Sequence, residues 1–195
     1  MIDLTSTPII ILAILGSVGV ALPVINIGLK EKGSVISYGI AALIALFASI
    51  GYVLYQLALD HVAPAALFSQ DVLVDDAFGA LFAIAMLIVA IFTTFGSFSY
   101  MKNKANPSVY FSLILLSTIG MVLVAYSTDL VMLFIAWELM SIPTYILVGF
   151  LKKDPISNEA AIKYFLFGAL ASAIIIYGIS PVSYTHLTLP TIYSV

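Results

Sequence analysis

Long apolar runs separated by short polar breaks organise this chain. Six of them reach the roughly 20 residues a helix needs to cross a bilayer: Pro8 to Leu29, Ser34 to Leu59, Ala77 to Tyr100, Ser108 to Tyr126, Leu130 to Leu151 and Ile156 to Ile179. None shows the strict alternation of a barrel strand. Lipid offers no hydrogen-bond partner to an open backbone group, so runs of this kind are expected as helices. The predicted fold is therefore all-α, a polytopic membrane protein of six transmembrane helices.

The breaks carry local stop and start signals. Asn106-Pro107 marks a turn between the third and fourth runs. In Lys152-Lys153-Asp154-Pro155, Asp154 suits a helix N-cap and Pro155 the first helical position. The segment from Asp60 to Asp76 is the longest break and has room for a short surface helix, though its pattern does not require one. Small residues recur four apart, at Ala41, Ala45 and Ser49 and again at Gly168 and Ser172. Such rows let helices approach closely in lipid and read here as ordinary packing.

Composition agrees with a lipid solvent. The chain is 63% hydrophobic and 9% charged, with a mean hydropathy of +1.18, against roughly 25% charged residues in a soluble domain. It has no arginine and a net charge of -3, which gives nucleic-acid binding no support. It has no cysteine and only two histidines, His61 and His186. No metal centre or redox cofactor is therefore expected in this chain, and electron transfer would belong to its partners. The first run is too long for the apolar part of a signal peptide and follows Asp3 rather than a basic residue.

The loop charges divide by side. Lys30, Lys32, Lys102, Lys104, Lys152 and Lys153 fall in the first, third and fifth breaks. Asp3, Asp60, Asp71, Asp75, Asp76 and Asp129 fall on the other side, with no lysine. The positive-inside rule predicts that the lysine loops face the cytoplasm and the N-terminus faces outward.

Three charged side chains stand within the runs: Glu138, Glu159 and Lys163. A charge at mid-bilayer costs about 2.5–3.5 kcal/mol on insertion scales, so such residues are candidates for function. Glu138 is the deepest, roughly 13 Å from Asp129 and 21 Å from Lys152 along a helix. Pro143 lacks an N–H and leaves the Leu139 carbonyl without its helical donor, a place suited to water. Burial opposes the ionised carboxylate and a nearby cation favours it, the balance a proton relay needs. The alternative is a protonated glutamate bonding a neighbouring helix. Lys163 has three readings. It reaches back to the surface, it pairs with Glu159 one turn earlier, or it acts inside the membrane. Trp137, at mid-membrane, reads as packing.

The residues from 137 to 180 carry a family likeness. They read Trp-Glu-Leu-Met-Ser-Ile-Pro-Thr-Tyr at 137–145, Asn-Glu-Ala-Ala-Ile-Lys-Tyr-Phe at 158–165, Phe-Gly-Ala-Leu-Ala-Ser-Ala at 167–173 and Tyr-Gly-Ile-Ser at 177–180. This stretch resembles subunit N of the proton-pumping NADH:quinone oxidoreductases and of the related deazaflavin-dependent dehydrogenases of archaea. Subunits M and L and the Mrp-type cation/proton antiporters form the wider group.

The resemblance implies a multi-pass subunit of the cell membrane, the first part of an antiporter-like inverted-repeat bundle. It implies proton translocation driven by electron transfer elsewhere in the complex, with Glu138 and Lys163 in the proton path; counting from the Lys152–Pro155 hairpin sets the two roughly 9 Å apart in depth, which favours bridging waters over a direct salt bridge. It implies other membrane-arm subunits and the lipid bilayer as partners, quinone only through the complex, and no redox cofactor in this chain. A stand-alone cation/proton antiporter and a structural membrane subunit are the competing readings. Residues 181–195 leave the likeness. They resemble the read-through of a translated sequencing adapter, the alternative being a genuine outward-facing tail.

Overall fold

The computed structural model describes residues 6–28, 34–59, 65–66 and 72–182. Six helices dominate it: α1 (Thr7–Gly28), α2 (Val35–Ala58), α3 (Ala77–Met101), α4 (Pro107–Tyr126), α5 (Leu130–Val148) and α6 (Pro155–Val182). All six are long and apolar enough to cross a membrane. The protein is a multi-pass membrane protein. Relative to the apolar runs, α5 ends earlier, at Val148, and α6 continues to Val182.

The helix ends follow from their caps. Ser34 accepts from the Ser37 N–H, Asp76 from the Gly79 N–H at 2.7 Å, and Asp129 from Val131 and Met132 at 2.9 and 3.0 Å. Pro107 and Pro155 open α4 and α6, where a missing N–H costs nothing. Asp154 accepts from the Ile156 N–H at 3.0 Å, as its position before Pro155 predicts.

The long outer break contains no helix among its described residues. Two short strands pair there, β1 (Ala65–Ala66) antiparallel to β2 (Val74–Asp75), with Ala65 opposite Asp75. Leu73 bridges to Ser127, and the Thr128 N–H donates to the Val72 carbonyl at 3.2 Å. The segment before α3 is thus tied to the turn between α4 and α5. The side chains at Asp60, His61 and Asp71, the first lysine loop and the tail from 183 onward lie outside the described residues.

α4 is the central post. It packs against α1, α2, α3 and α5 and buries residues on every side, including Phe111, Leu115, Thr118, Val122 and Tyr126. α1 turns Ile11, Leu15, Gly19 and Leu22 inward, three or four residues apart on one face. Ser112 on α4 donates to the Gly19 carbonyl where the two helices come together. Ser49, Thr94 and Thr118 are buried and return their hydroxyls to the carbonyl four residues earlier, which satisfies them without water. The small-residue row of α2 is packing, as read: Ala45 and Ser49 are buried there.

α6 stands apart from this core. It touches α5, and Ser172 alone of its residues is buried. Ile162, Phe165, Leu166, Phe167, Leu170 and Ile174 all remain exposed.

Candidate functional site

Glu138 lies near the middle of α5, roughly 12 Å from Leu130 and 15 Å from Val148. Its surroundings are shaped by Pro143, which stands inside the helix and offers no N–H to Leu139. The carbonyls on either side of that gap each accept a side-chain hydroxyl. Ser141 donates to the Trp137 carbonyl at 2.8 Å, Ser117 of α4 to Met140 at 3.1 Å, and Thr144 to Ser141 at 2.7 Å. A helix disturbed by proline is re-satisfied in this way when neighbours supply polar groups.

α4 reaches this stretch because Gly120 has no side chain. A Cβ there would come within 2.6 Å of the Met140 Cα and 2.8 Å of the Leu139 carbonyl carbon. On the other side, the turn between α5 and α6 is tight. Asp154 N–H donates to the Leu151 carbonyl at 2.9 Å, and Ser157 Oγ to the Val148 carbonyl at 2.7 Å. Higher up, Tyr145 of α5 packs edge-on to Tyr164 at 4.9 Å and to Phe165 at 5.7 Å, with its ring over Gly168.

This hairpin brings Ser172 of α6 to Glu138. The serine hydroxyl donates to Oε1 of the glutamate. The earlier reading of Ser172 as ordinary packing is therefore incomplete, since it holds the intramembrane carboxylate. The signal was present in the spacing. Counting down both arms from the turn puts Glu138 roughly level with residues 169–172, and Ser172 is the polar one of these four.

Lys163 is placed elsewhere. Its ammonium pairs with Glu159 one turn earlier on α6, and both side chains are about two-thirds exposed. Lys163 and Ser172 are nine residues apart, about 13 Å along the helix. The expected approach of Glu138 to Lys163 is not what the structure brings together: each has its own partner. The local Glu159–Lys163 pair, one of the three readings of Lys163, is present.

Beside this arrangement lies a cavity of about 500 Å³ bounded by α3, α4, α5 and α6. Its lining is mostly apolar, Trp137 included, and Thr93, Thr118, Ser141, Thr144 and Tyr164 add hydroxyls to it. Trp137 is 41% exposed, so it borders open space rather than filling a packed gap. Among the described residues no three His, Asp or Glu side chains gather as a metal site.

Comparison with known proteins locates this arrangement. Residues 127–190 match the transmembrane family NADH:quinone oxidoreductase/Mrp antiporter. That segment holds both α5 and α6 and runs beyond Ser180, the last residue of the likeness read from the motifs. The chain is 37% identical over 175 residues to NADH-quinone oxidoreductase subunit N 1 of Solibacter usitatus, covering 89% of this chain and 34% of that protein. It is 36% identical over 114 residues to F(420)H(2) dehydrogenase subunit N of Methanosarcina mazei, covering 58% of this chain and 23% of that one. In structure it resembles a chain of respiratory complex I from Thermus thermophilus, solved with bound aureothin. The TM-score is 0.70 at 26% identity, over 89% of this chain and 36% of the other. The resemblance to subunit N read from residues 137–180 is thus matched by sequence and by fold. The chain spans about a third of the length of the Solibacter and Thermus relatives.

Proposed function

We propose that this chain serves in the membrane arm of a respiratory dehydrogenase, coupling electron transfer to quinone with proton translocation. Its partners are the other membrane-arm subunits, and it carries no redox cofactor of its own. Glu138 and Lys163 are the proton-carrying groups. The observation that supports this most is the placement of Glu138. It is an ionisable side chain at mid-span, beside a proline-disturbed backbone and a mostly apolar cavity dotted with hydroxyls, in a chain similar to subunit N. An intramembrane carboxylate kept at such cost is best explained by use. The relatives include both an NADH-linked and an F(420)H(2)-linked subunit, so the proposal leaves the electron donor open.

The pairings refine the mechanism. Glu138 and Lys163 act as two separate stations, each with a bonded partner, rather than as one ion pair. Transfer between them needs water along α6 or a lysine released from Glu159. The test is Glu138→Gln made in the host's own gene, with proton pumping and quinone reduction measured in vesicles. Pumping is expected to fall more than electron transfer, with the assembled complex present at normal amount. Undiminished pumping would return Glu138 to the role of a helix–helix bond. Cation-driven proton movement persisting without any quinone reductase would favour the antiporter reading, which the family's description also includes.

A further inference from the structure

α6 buries one side chain, and that side chain bonds the one charged group of α5. Elsewhere α6 meets α5 through Ser157 at the turn and through Tyr164, Phe165 and Gly168 against Tyr145, none of which reaches the carboxyl of Glu138. Alanine at position 172 would fill the same space without bonding anything. A serine hydroxyl has a property that suits a group changing its proton. It donates one hydrogen bond and accepts others, and it rotates freely to do either. Toward an ionised carboxylate it donates. Toward a protonated carboxyl it accepts the acid O–H. A backbone N–H or a lysine in that place could donate to either form but could not accept the acid O–H.

From this geometry we infer that Ser172 is the positioning residue for Glu138. It keeps one bond to the carboxyl group through both protonation states and holds it at the level of the Pro143 gap. The inference rests on the reading of Glu138 as a proton carrier, but it is tested separately from it. Ser172 itself carries no proton to or from substrate. It fixes the rotamer of the glutamate.

Other groups around Glu138 do not substitute for it. The helices packed against α5 are α4 and α6. α4 has no charged side chain, and its tyrosines, Tyr110 and Tyr126, lie toward its two ends. On α6 the charged groups are Glu159 and Lys163, roughly 20 and 13 Å along the helix from Ser172 and bound to each other. The remaining tyrosines are Tyr145 on α5 and Tyr164 and Tyr177 on α6. Tyr145 and Tyr164 pack on each other seven and eight residues from the bonded pair, and Tyr177 points outward, 81% exposed.

The experiment uses Ser172→Ala, Ser172→Thr and Glu138→Gln, singly and with Ser172→Ala combined with Glu138→Gln, in vesicles from the native host. Two readouts are taken. One is proton pumping against pH. The other is the carboxyl C=O stretch of Glu138 by infrared difference spectroscopy, assigned by its loss in Glu138→Gln. Ser172→Ala is expected to shift and broaden the carboxyl C=O stretch, because the carboxyl loses the hydroxyl that bonds it and fixes its rotamer. Ser172→Thr, which keeps the hydroxyl, is expected to restore it. In the Glu138→Gln background Ser172→Ala should add nothing to the loss of pumping. An unmoved C=O stretch in Ser172→Ala overturns the proposal. So does an additive loss of pumping in the double variant, which would mark an independent structural role. If Glu138→Gln pumps normally, the proton-carrier reading fails, while the infrared band of the carboxyl still decides whether Ser172 positions it.

Discussion

Lys163 binds Glu159 one turn earlier on α6, roughly 13 Å along the helix from the level where Glu138 meets Ser172. The order, glutamate before lysine at a spacing of four, is the favourable one on a helix. In water such an exposed pair contributes little to stability. Here it lies on a helix whose neighbours within this chain are few, so its value is set by what faces α6 in the assembled membrane.

If Lys163 is a proton station, Glu159 is its restraint. Glu159→Gln is expected to leave assembly unchanged and to alter pumping, because the ammonium loses its local counter-charge. Lys163→Ala is expected to lower pumping further. The double variant should match Lys163→Ala alone, since Glu159 acts only through the lysine. Proton pumping at equal complex content checks this. Wild-type pumping in Lys163→Ala would leave the pair as a surface contact.

The orientation of the bundle rests on the loop lysines, which the six spans place on one side by alternation. Asn103 lies in the turn between α3 and α4, with Lys102 and Lys104 beside it. An Asn103→Cys variant carries the chain's one thiol, because the sequence has none. An impermeant maleimide should label it in inverted vesicles and leave it unlabelled in intact cells. Labelling from outside would reverse the topology.

The spans were readable because each is a long apolar run with a cap that works locally. Asp129 bonds the N–H groups two and three residues on, and Pro155 needs no partner beyond its own ring. Glu138 was readable because a charge in such a run stands out whatever its partner. The partner was not. Ser172 is 34 residues away, and among several serines on α6 it stands out only when the two arms are counted down from the turn together. Lys163 was the reverse case, since its partner lay within one turn and the spacing already named it. The two-stranded pairing before α3 was hidden for a third reason. Ala65 and Ala66 have no strand character of their own, and they pair because Val74 and Asp75 are held next to them.

Gly120 sets how closely α4 and α5 can approach. Gly120→Ala puts a methyl against the backbone of Leu139 and Met140, which cannot rotate away as a side chain would. The helices must separate, and the Ser117 bond to the Met140 carbonyl stretches with them. Overpacking of this kind typically costs about 1–3 kcal/mol. Gly96 is the control, because a Cβ there meets nothing within 4 Å. Thermal unfolding in detergent should show Gly120→Ala clearly less stable than the parent and Gly96→Ala equal or slightly better. Equal stability of the two would mean that α4 and α5 separate without loss.

Asp75 reads from sequence as one more acidic loop residue, yet the structure buries it to 7% exposure. Its Oδ2 accepts the Thr7 N–H at 2.7 Å, and Thr7 is 1% exposed. This N–H is one of the four that a helix start leaves without an internal partner. The carboxylate also meets the positive end of α1. Asp75 therefore fastens α1 to the segment that enters α3, and the Leu73–Ser127 bridge fastens that segment to the α4–α5 turn. Asp75→Ala strands a buried N–H, at a cost of about 1–3 kcal/mol. Asp75→Asn keeps an acceptor oxygen of the same shape and should lose only part of that. Asp76→Ala removes the N-cap of α3, worth about 1 kcal/mol, and sets the scale for an ordinary cap. The expected order of stability in detergent is parent, then Asp75→Asn, then Asp75→Ala. Amide exchange at Thr7 should be faster in Asp75→Ala than in Asp76→Ala, because only the former releases that N–H. Unchanged exchange at Thr7 in Asp75→Ala would show that another group holds the start of α1.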